Sequence, residues 1–246
     1  MTGGRELSFD DVADEYERTR PSYPPELLDA LPLPDDASVL DLAAGTGKLT
    51  RVLAERYRDV VAVEPLANMR AMLERVVPGV PALAGSAERI PLDDGSVDGV
   101  FTAQAFHWFA KDVALPEIAR VLRADGVFAI VWNGPDEGRP SPLPAEFESA
   151  LQALHDEVPH PWIDEPRWED LLERHFADVH GRVSIPHDHV LDRAGLLDNA
   201  RSTSWIASRD DREDVIARLG TLLPEGTYAI PNRAYVLWAR RRRAGR

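Results

Sequence analysis

Apolar residues follow two different rhythms along this chain. In the first half, short apolar runs at 39–42 (VLDL), 59–64 (DVVAVE), 80–85 (VPALAG), 97–104 (VDGVFTAQ) and 126–132 (GVFAIVW) predict five strands. Between them the period lengthens. Residues 48–57 place Leu49, Val52, Leu53 and Arg56 on one helical face, Leu66, Met69, Met72, Leu73 and Val76 form a second stripe, and another helix ends at 118–122. Strands alternating with helices predict a parallel sheet with covering helices.

Past residue 132 the rhythm changes. A Pro/Gly-rich connection at 133–146 precedes a polar helical region that runs from 145 to 175. An extended run at 177–192 follows, then helical stretches near 193–206 and 210–222. The last run, 227–240, alternates like a strand, and its Pro231 suits a bulge or an edge. No internal repeat is visible. The expected organisation is one domain over 1–246. It has an N-terminal helical cap (1–37), a core (38–132), helical cap insertions (133–175 and 191–224) and C-terminal strands (176–190 and 225–240).

Composition narrows the function. With 246 residues and 44% hydrophobic content, the chain can bury a sizeable core without staples. Cysteine is absent, which removes disulfides, thiol nucleophiles and cysteine-ligated zinc. A net charge of −14 argues against nucleic acid as a partner. The run Arg240-Arg241-Arg242-Arg243 is then most simply a solvated end. Residues 1–20 are charged and lack the apolar segment of a signal peptide, and no apolar run approaches membrane-spanning length. The expectation is a cytoplasmic protein with no membrane partner, as a monomer or homodimer.

The stretch VLDLAAGTGKLT (39–50) holds the candidate chemistry. A buried-looking strand carries Asp41 near its end and turns through small residues into a helix. In doubly wound sheets, ligands sit outside the carboxyl ends of the strands, and backbone that approaches a ligand closely has no room for side chains. Glu64 closes the second predicted strand about 20 residues after the loop, where an acid accepts hydrogen bonds from a ribose diol. An adenosine-like ligand meets both conditions. Two cofactor classes compete for it. A dinucleotide site shows Gly-x-Gly-x-x-Gly with phosphates at the helix N-terminus. Here the pattern is Asp41-x-Ala43-x-Gly45-x-Gly47. Asp41 opposes a pyrophosphate and suits a cation, and S-adenosylmethionine carries an ammonium and a sulfonium.

The segments VLDLAAGTGKLT, VVAVEPLANM, GSAERIPLDDGSVDGVFTAQAFHWF and EIARVLRADGVFAIVW, in this order, resemble the successive motifs of class I S-adenosylmethionine-dependent methyltransferases of the type 11, small-molecule group. The opening FDDVADEYERTRPSYPPELLDAL is similar to that group's N-terminal helix. The resemblance covers 8–132 strongly and the last strand weakly. It implies a Rossmann-like, seven-stranded, mostly parallel α/β sheet with an antiparallel last strand and a helical cap over the carboxyl edge. It also implies methyl transfer from S-adenosylmethionine to a small-molecule acceptor, with S-adenosylhomocysteine as product.

Roles follow from the resemblance position by position. Asp41 orients the methionine end, and Ala43, Gly45 and Gly47 form the close-approach loop; family members often have glycine where this chain has Ala43. Glu64 binds the ribose hydroxyls, Pro65 and Met69 flank the adenine, and Ser86 and Ala87 meet its amino edge. Gln104 and Ala105 touch the methionyl portion. Tyr16 and Arg20 close over the site and pair with its carboxylate.

Other groups leave alternatives open. His107, in AFHWF after the fourth strand, is either a proton acceptor beside the methyl group or a histidine packed in an aromatic cluster. His187 and His189 share a strand face, but no third ligand is evident, so no metal site is expected. Trp162, Trp168 and Trp205 either line an apolar acceptor pocket or form ordinary cap core. The rival functions are an NAD(P)-dependent oxidoreductase and a non-catalytic adenosyl-ligand binding protein.

Overall fold

The structure, a computed structural model, describes residues 13–157 and 167–242. The chain forms two compact units. The sheet unit comprises Ser22–Gly134, Glu165–Ile185 and Ala234–Arg246. Its alternating part is β1 (Ser38–Leu42), α2 (Lys48–Arg56), β2 (Asp59–Val63), α3 (Ala67–Val76), β3 (Ala82–Leu83), β4 (Val97–Ala103), α4 (Lys111–Val121) and β5 (Leu122–Pro135). Later come α6 (Trp168–His175), β6 (Phe176–Asp192) and β7 (Thr227–Arg241); β6 and β7 run on into the other unit. The strand order is β3-β2-β1-β4-β5-β7-β6, and the pairs β1–β2, β2–β3, β1–β4 and β4–β5 are parallel. Strand order therefore reverses between β1 and β4, which places the ligand-accepting crevice at their carboxyl ends.

Alternation along the strands divides the core in two. Leu40, Leu42, Val100, Phe128 and Ile130 pack with α4 and α6. Val39, Phe101, Val127, Ala129 and Val131 pack on the other face with Leu49, Val52 and Leu53 of α2. Asp41 shares this second face by the two-residue period, so its carboxylate points toward α2.

The helical unit comprises Met1–Pro21, Pro135–Asp164 and Pro186–Arg233. It holds α1 (Ala13–Thr19), α5 (Ala145–Asp156), α7 (Arg193–Arg201), α8 (Ser204–Ala207) and α9 (Arg212–Leu222). Its separate core is built from Phe147, Leu196, Ala200, Ile206, Val215, Ile216, Leu219 and Leu223. Asp192 caps α7, accepting from the Gly195 amide at 2.7 Å. The N-terminal helix is tied to α7 by Arg18 to Asp198 at 2.6 Å, by Asn199 Nδ2 to the Thr19 carbonyl at 3.0 Å and by Arg20 Nε to Ser202 Oγ at 3.1 Å.

The sheet differs from the sequence expectation in three places. The run 80–85 pairs only at Ala82–Leu83, because Pro81 has no N–H to give the ladder. Strand β5 is longer than 126–132, with a register shift against β4 between Val97 and Gly99. Helix α6 packs in the sheet unit through Leu171 and Leu172, not with the other helices of the expected 133–175 insertion. Trp162 lies outside the described residues.

Candidate functional site

The loop after β1 is bent by its own residues. Ala43, Gly45 and Gly47 all have positive φ, at 58°, 58° and 89°. The two glycines have different surroundings. A Cβ at Gly47 would meet Leu73 Cγ at 3.0 Å and Val77 Cγ2 at 3.1 Å, whereas a Cβ at Gly45 would meet nothing within 4 Å. Gly47 is thus demanded by packing of the loop onto α3. Gly45 faces open space.

Glu64 holds this loop. Its carboxylate accepts from the Gly45 amide at 2.8 Å through Oε2 and from the Leu66 amide at 2.8 Å through Oε1. Arg70 Nη1 donates to the Glu64 carbonyl at 2.8 Å. The residue is 4% exposed, so this acid is buried at the strand end, with one backbone donor on each carboxylate oxygen. It stands beside the open position at Gly45.

Asp41 is fully buried and only half satisfied. The Thr50 hydroxyl of α2 donates to Oδ2 at 2.6 Å, while Oδ1 has no hydrogen-bond partner. Burial pushes the carboxyl up to about 7, the nearby Glu64 charge adds to this, and the Thr50 bond opposes it. A buried carboxylate with an orphaned oxygen suits a cationic group. The residues present therefore fit a ligand with a diol for Glu64, a cation for Asp41 and a flat approach over Gly45.

The raised value sets a pH dependence. Asp41 favours folding most below its ordinary value of 3.8, and that contribution is lost as pH rises through about 7. At pH 8 the folded chain carries the full cost of a buried carboxylate. Asp41→Asn should therefore raise stability by about 1–3 kcal/mol at pH 8, with a smaller gain at pH 5. Thermal denaturation at the two pH values checks this. An equal shift at both would show that the charge of Asp41 is not the cause.

The remaining predicted residues fall into three groups. Pro65 is exposed and Met69 is buried on α3; Ser86 forms an isolated bridge to Arg89, with Ala87 buried beside it. Gln104 takes a positive φ of 56° at the end of β4 and donates from Nε2 to the Asn133 carbonyl at 2.9 Å, while Ala105 packs against the core. Loop, Glu64 and Gln104 thus lie at the ends of β1, β2 and β4, flanking the reversal point. Tyr16 and Arg20 belong to the helical unit, where the Arg20 guanidinium lies 5.3 Å from the Tyr16 ring centroid.

His107 sits in the short 3-10 turn Phe106–Trp108, its ring 4.6 Å from that of Trp108. Burial, with the Lys111 ammonium adding, holds the imidazole down at about 4. It is neutral at neutral pH and a weak proton acceptor. Among the described residues no group of three or more histidine, aspartate or glutamate side chains could hold a metal ion, and no helix is long and apolar enough to cross a membrane. Three contributors escape sequence reasoning. Thr50 is one polar residue in an amphipathic helix, Leu66 acts through its amide, and Arg70 reaches a carbonyl.

The chain matches the family model described as a methyltransferase domain over residues 40–130. An uncharacterized methyltransferase of Mycobacterium tuberculosis is 56% identical over 132 residues, which is 53% of this chain and 54% of the relative. The match thus spans about half the length of that relative. A demethylmenaquinone methyltransferase of Beutenbergia cavernae is 37% identical over 193 residues, 73% of this chain and 79% of that protein. A solved structure from Anaeromyxobacter dehalogenans, described as a candidate type II methyltransferase, aligns with a TM-score of 0.60 and 25% identity over 90% of this chain and 96% of the other. The family match contains Asp41, the glycine loop, Glu64 and Gln104, and the chain belongs to the class I S-adenosylmethionine-dependent methyltransferases of the type 11 group.

Proposed function

We propose that this protein transfers the methyl group of S-adenosylmethionine to a small-molecule acceptor. The observation that carries the reading is the pairing of Asp41 with Glu64. One is a buried carboxylate with an orphaned oxygen, and the other is an acid pinned to the glycine loop. The donor supplies an electrophilic methyl carbon on a positively charged sulfur. Asp41 and the backbone near Gln104 hold its methionine end, Glu64 its ribose, and Pro65, Met69, Ser86 and Ala87 its adenine. Gly45 keeps the loop thin enough for close approach.

Displacement at a methyl carbon needs alignment and dry surroundings more than acid–base help when the acceptor is already nucleophilic. His107 fits this as a neutral hydrogen-bonding group at the end of β4 that orients the acceptor. The helical unit carries none of the cofactor motifs except Tyr16 and Arg20. The cytoplasm is the proposed compartment.

Methyl-labelled S-adenosylmethionine tests the activity. Label should pass to a small acceptor with an equal amount of S-adenosylhomocysteine released. A protein that binds the donor but transfers no label to any acceptor of a broad panel would be the non-catalytic adenosyl binder instead.

A further inference from the structure

A run of aromatic rings lies beside Gln104 in the sheet unit. Trp132 of β5 and Tyr235 of β7 are stacked, with centroids 5.2 Å apart and planes 14° from parallel. Trp168, the first residue of α6, meets Trp132 edge-to-face at 5.3 Å and 84°. It meets Phe106 in the same way, again at 5.3 Å and 84°. Phe106 is buried, but Trp132, Trp168 and Tyr235 are each only half-buried.

Gln104 fixes where this cluster stands. Its amide donates to the Val131 carbonyl at 3.0 Å and its side chain to the Asn133 carbonyl at 2.9 Å, bracketing Trp132 on both sides. The β4–β5 register ends at Ala103 opposite Val131, so Trp132 is level with Gln104 at the carboxyl edge. The cluster thus adjoins the strand end assigned to the methionyl portion of the donor.

We propose that the methyl acceptor is a planar, uncharged ring compound that binds against Trp132, Trp168 and Tyr235. The proposal rests on the methyltransferase reading above. Edge-to-face indoles at 5.3 Å fill the space between themselves, so an ammonium has no cage of converging ring faces here. A further flat ring extends the same stacked and edge-to-face arrangement, and half-buried indoles give it broad apolar contact at little entropic cost.

Equilibrium dialysis of the full chain saturated with S-adenosylhomocysteine tests this with three probes: 2-naphthol, its saturated analogue decahydro-2-naphthol, and tetramethylammonium. The expected result is about tenfold tighter binding of 2-naphthol than of the saturated analogue, as stacking contacts are lost with the ring's planarity. Trp168→Leu should erase most of that preference, and Trp168→Phe should keep it. Equal binding of the two alcohols, no naphthol binding, stronger binding of tetramethylammonium, or a preference that survives Trp168→Leu would each overturn the proposal. If Trp168→Leu does not fold, the probe ratios on the unmodified protein and on Trp168→Phe decide. Calorimetry of S-adenosylhomocysteine on the same sample keeps the two readings apart. A protein that binds it without ring preference loses only this proposal; one that does not bind it loses the methyltransferase reading, and the probe ratios are then read without it.

Discussion

Glu64→Ala should weaken S-adenosylhomocysteine binding by about 10- to 150-fold, the loss that follows from removing hydrogen bonds to a charged acceptor. The structure supplies a second reason for a large effect. Glu64 bonds the Gly45 amide and the Leu66 amide at once, so the variant leaves two backbone donors without their carboxylate and loosens the loop that lies over the ligand. Glu64→Gln separates the two contributions. An amide keeps one accepting oxygen, so one of the two loop bonds survives while the charge is lost. It should fall between the wild type and Glu64→Ala. Calorimetric titration of all three proteins checks the order, and an unchanged affinity in Glu64→Ala would remove this acid from the site.

The two glycines of the loop should separate binding from folding. Gly45→Val should reduce ligand affinity by more than about 100-fold, because its branched side chain enters the open space where the ligand approaches. The protein should still fold, at a cost of about 1–3 kcal/mol for a β-branched residue at positive φ. Gly47→Ala should do the reverse. Its methyl group is driven into Leu73 and Val77, so stability falls by about 1–3 kcal/mol while the face toward the ligand is untouched. Denaturant melts and ligand titrations on both variants give four numbers. Equal losses of affinity in the two would mean that the loop acts only as a turn. Should Gly45→Val fail to fold, Gly45→Ala repeats the comparison with less strain.

Much of the sheet was legible because its signals are local. The run 39–42 is marked by its mostly apolar character, which the buried strand Ser38–Leu42 bears out, and the second strand ends at Val63, one residue before the acid at 64. The loop was legible because glycine and alanine cluster there. Less legible were features that depend on distant partners. That Ala43 adopts a positive φ follows from the loop's path and not from any preference of alanine. The assignment of α6 to the sheet unit depends on Leu171 and Leu172 joining the core cluster that holds Phe128 and Phe176, a grouping no local period reveals. The low proton affinity of His107 comes from burial and from Lys111, and the half-satisfied state of Asp41 from the single hydroxyl of Thr50.

The central claim is that Asp41 and Glu64 hold an adenosyl ligand that brings an ammonium group. It is tested most directly by titrating the unmodified protein with S-adenosylhomocysteine, and separately with NAD, at pH 7 in two buffers of different ionisation enthalpy. Burial raises the Asp41 carboxyl to about 7, so it holds a proton more readily at neutral pH than an ordinary carboxyl. A ligand bringing an ammonium lowers that proton affinity, so binding should release protons, and affinity should fall as pH drops below about 6. NAD, whose pyrophosphate is repelled by the same carboxylate, should bind far more weakly. Proton uptake on binding S-adenosylhomocysteine, or tighter binding of NAD, would contradict the account.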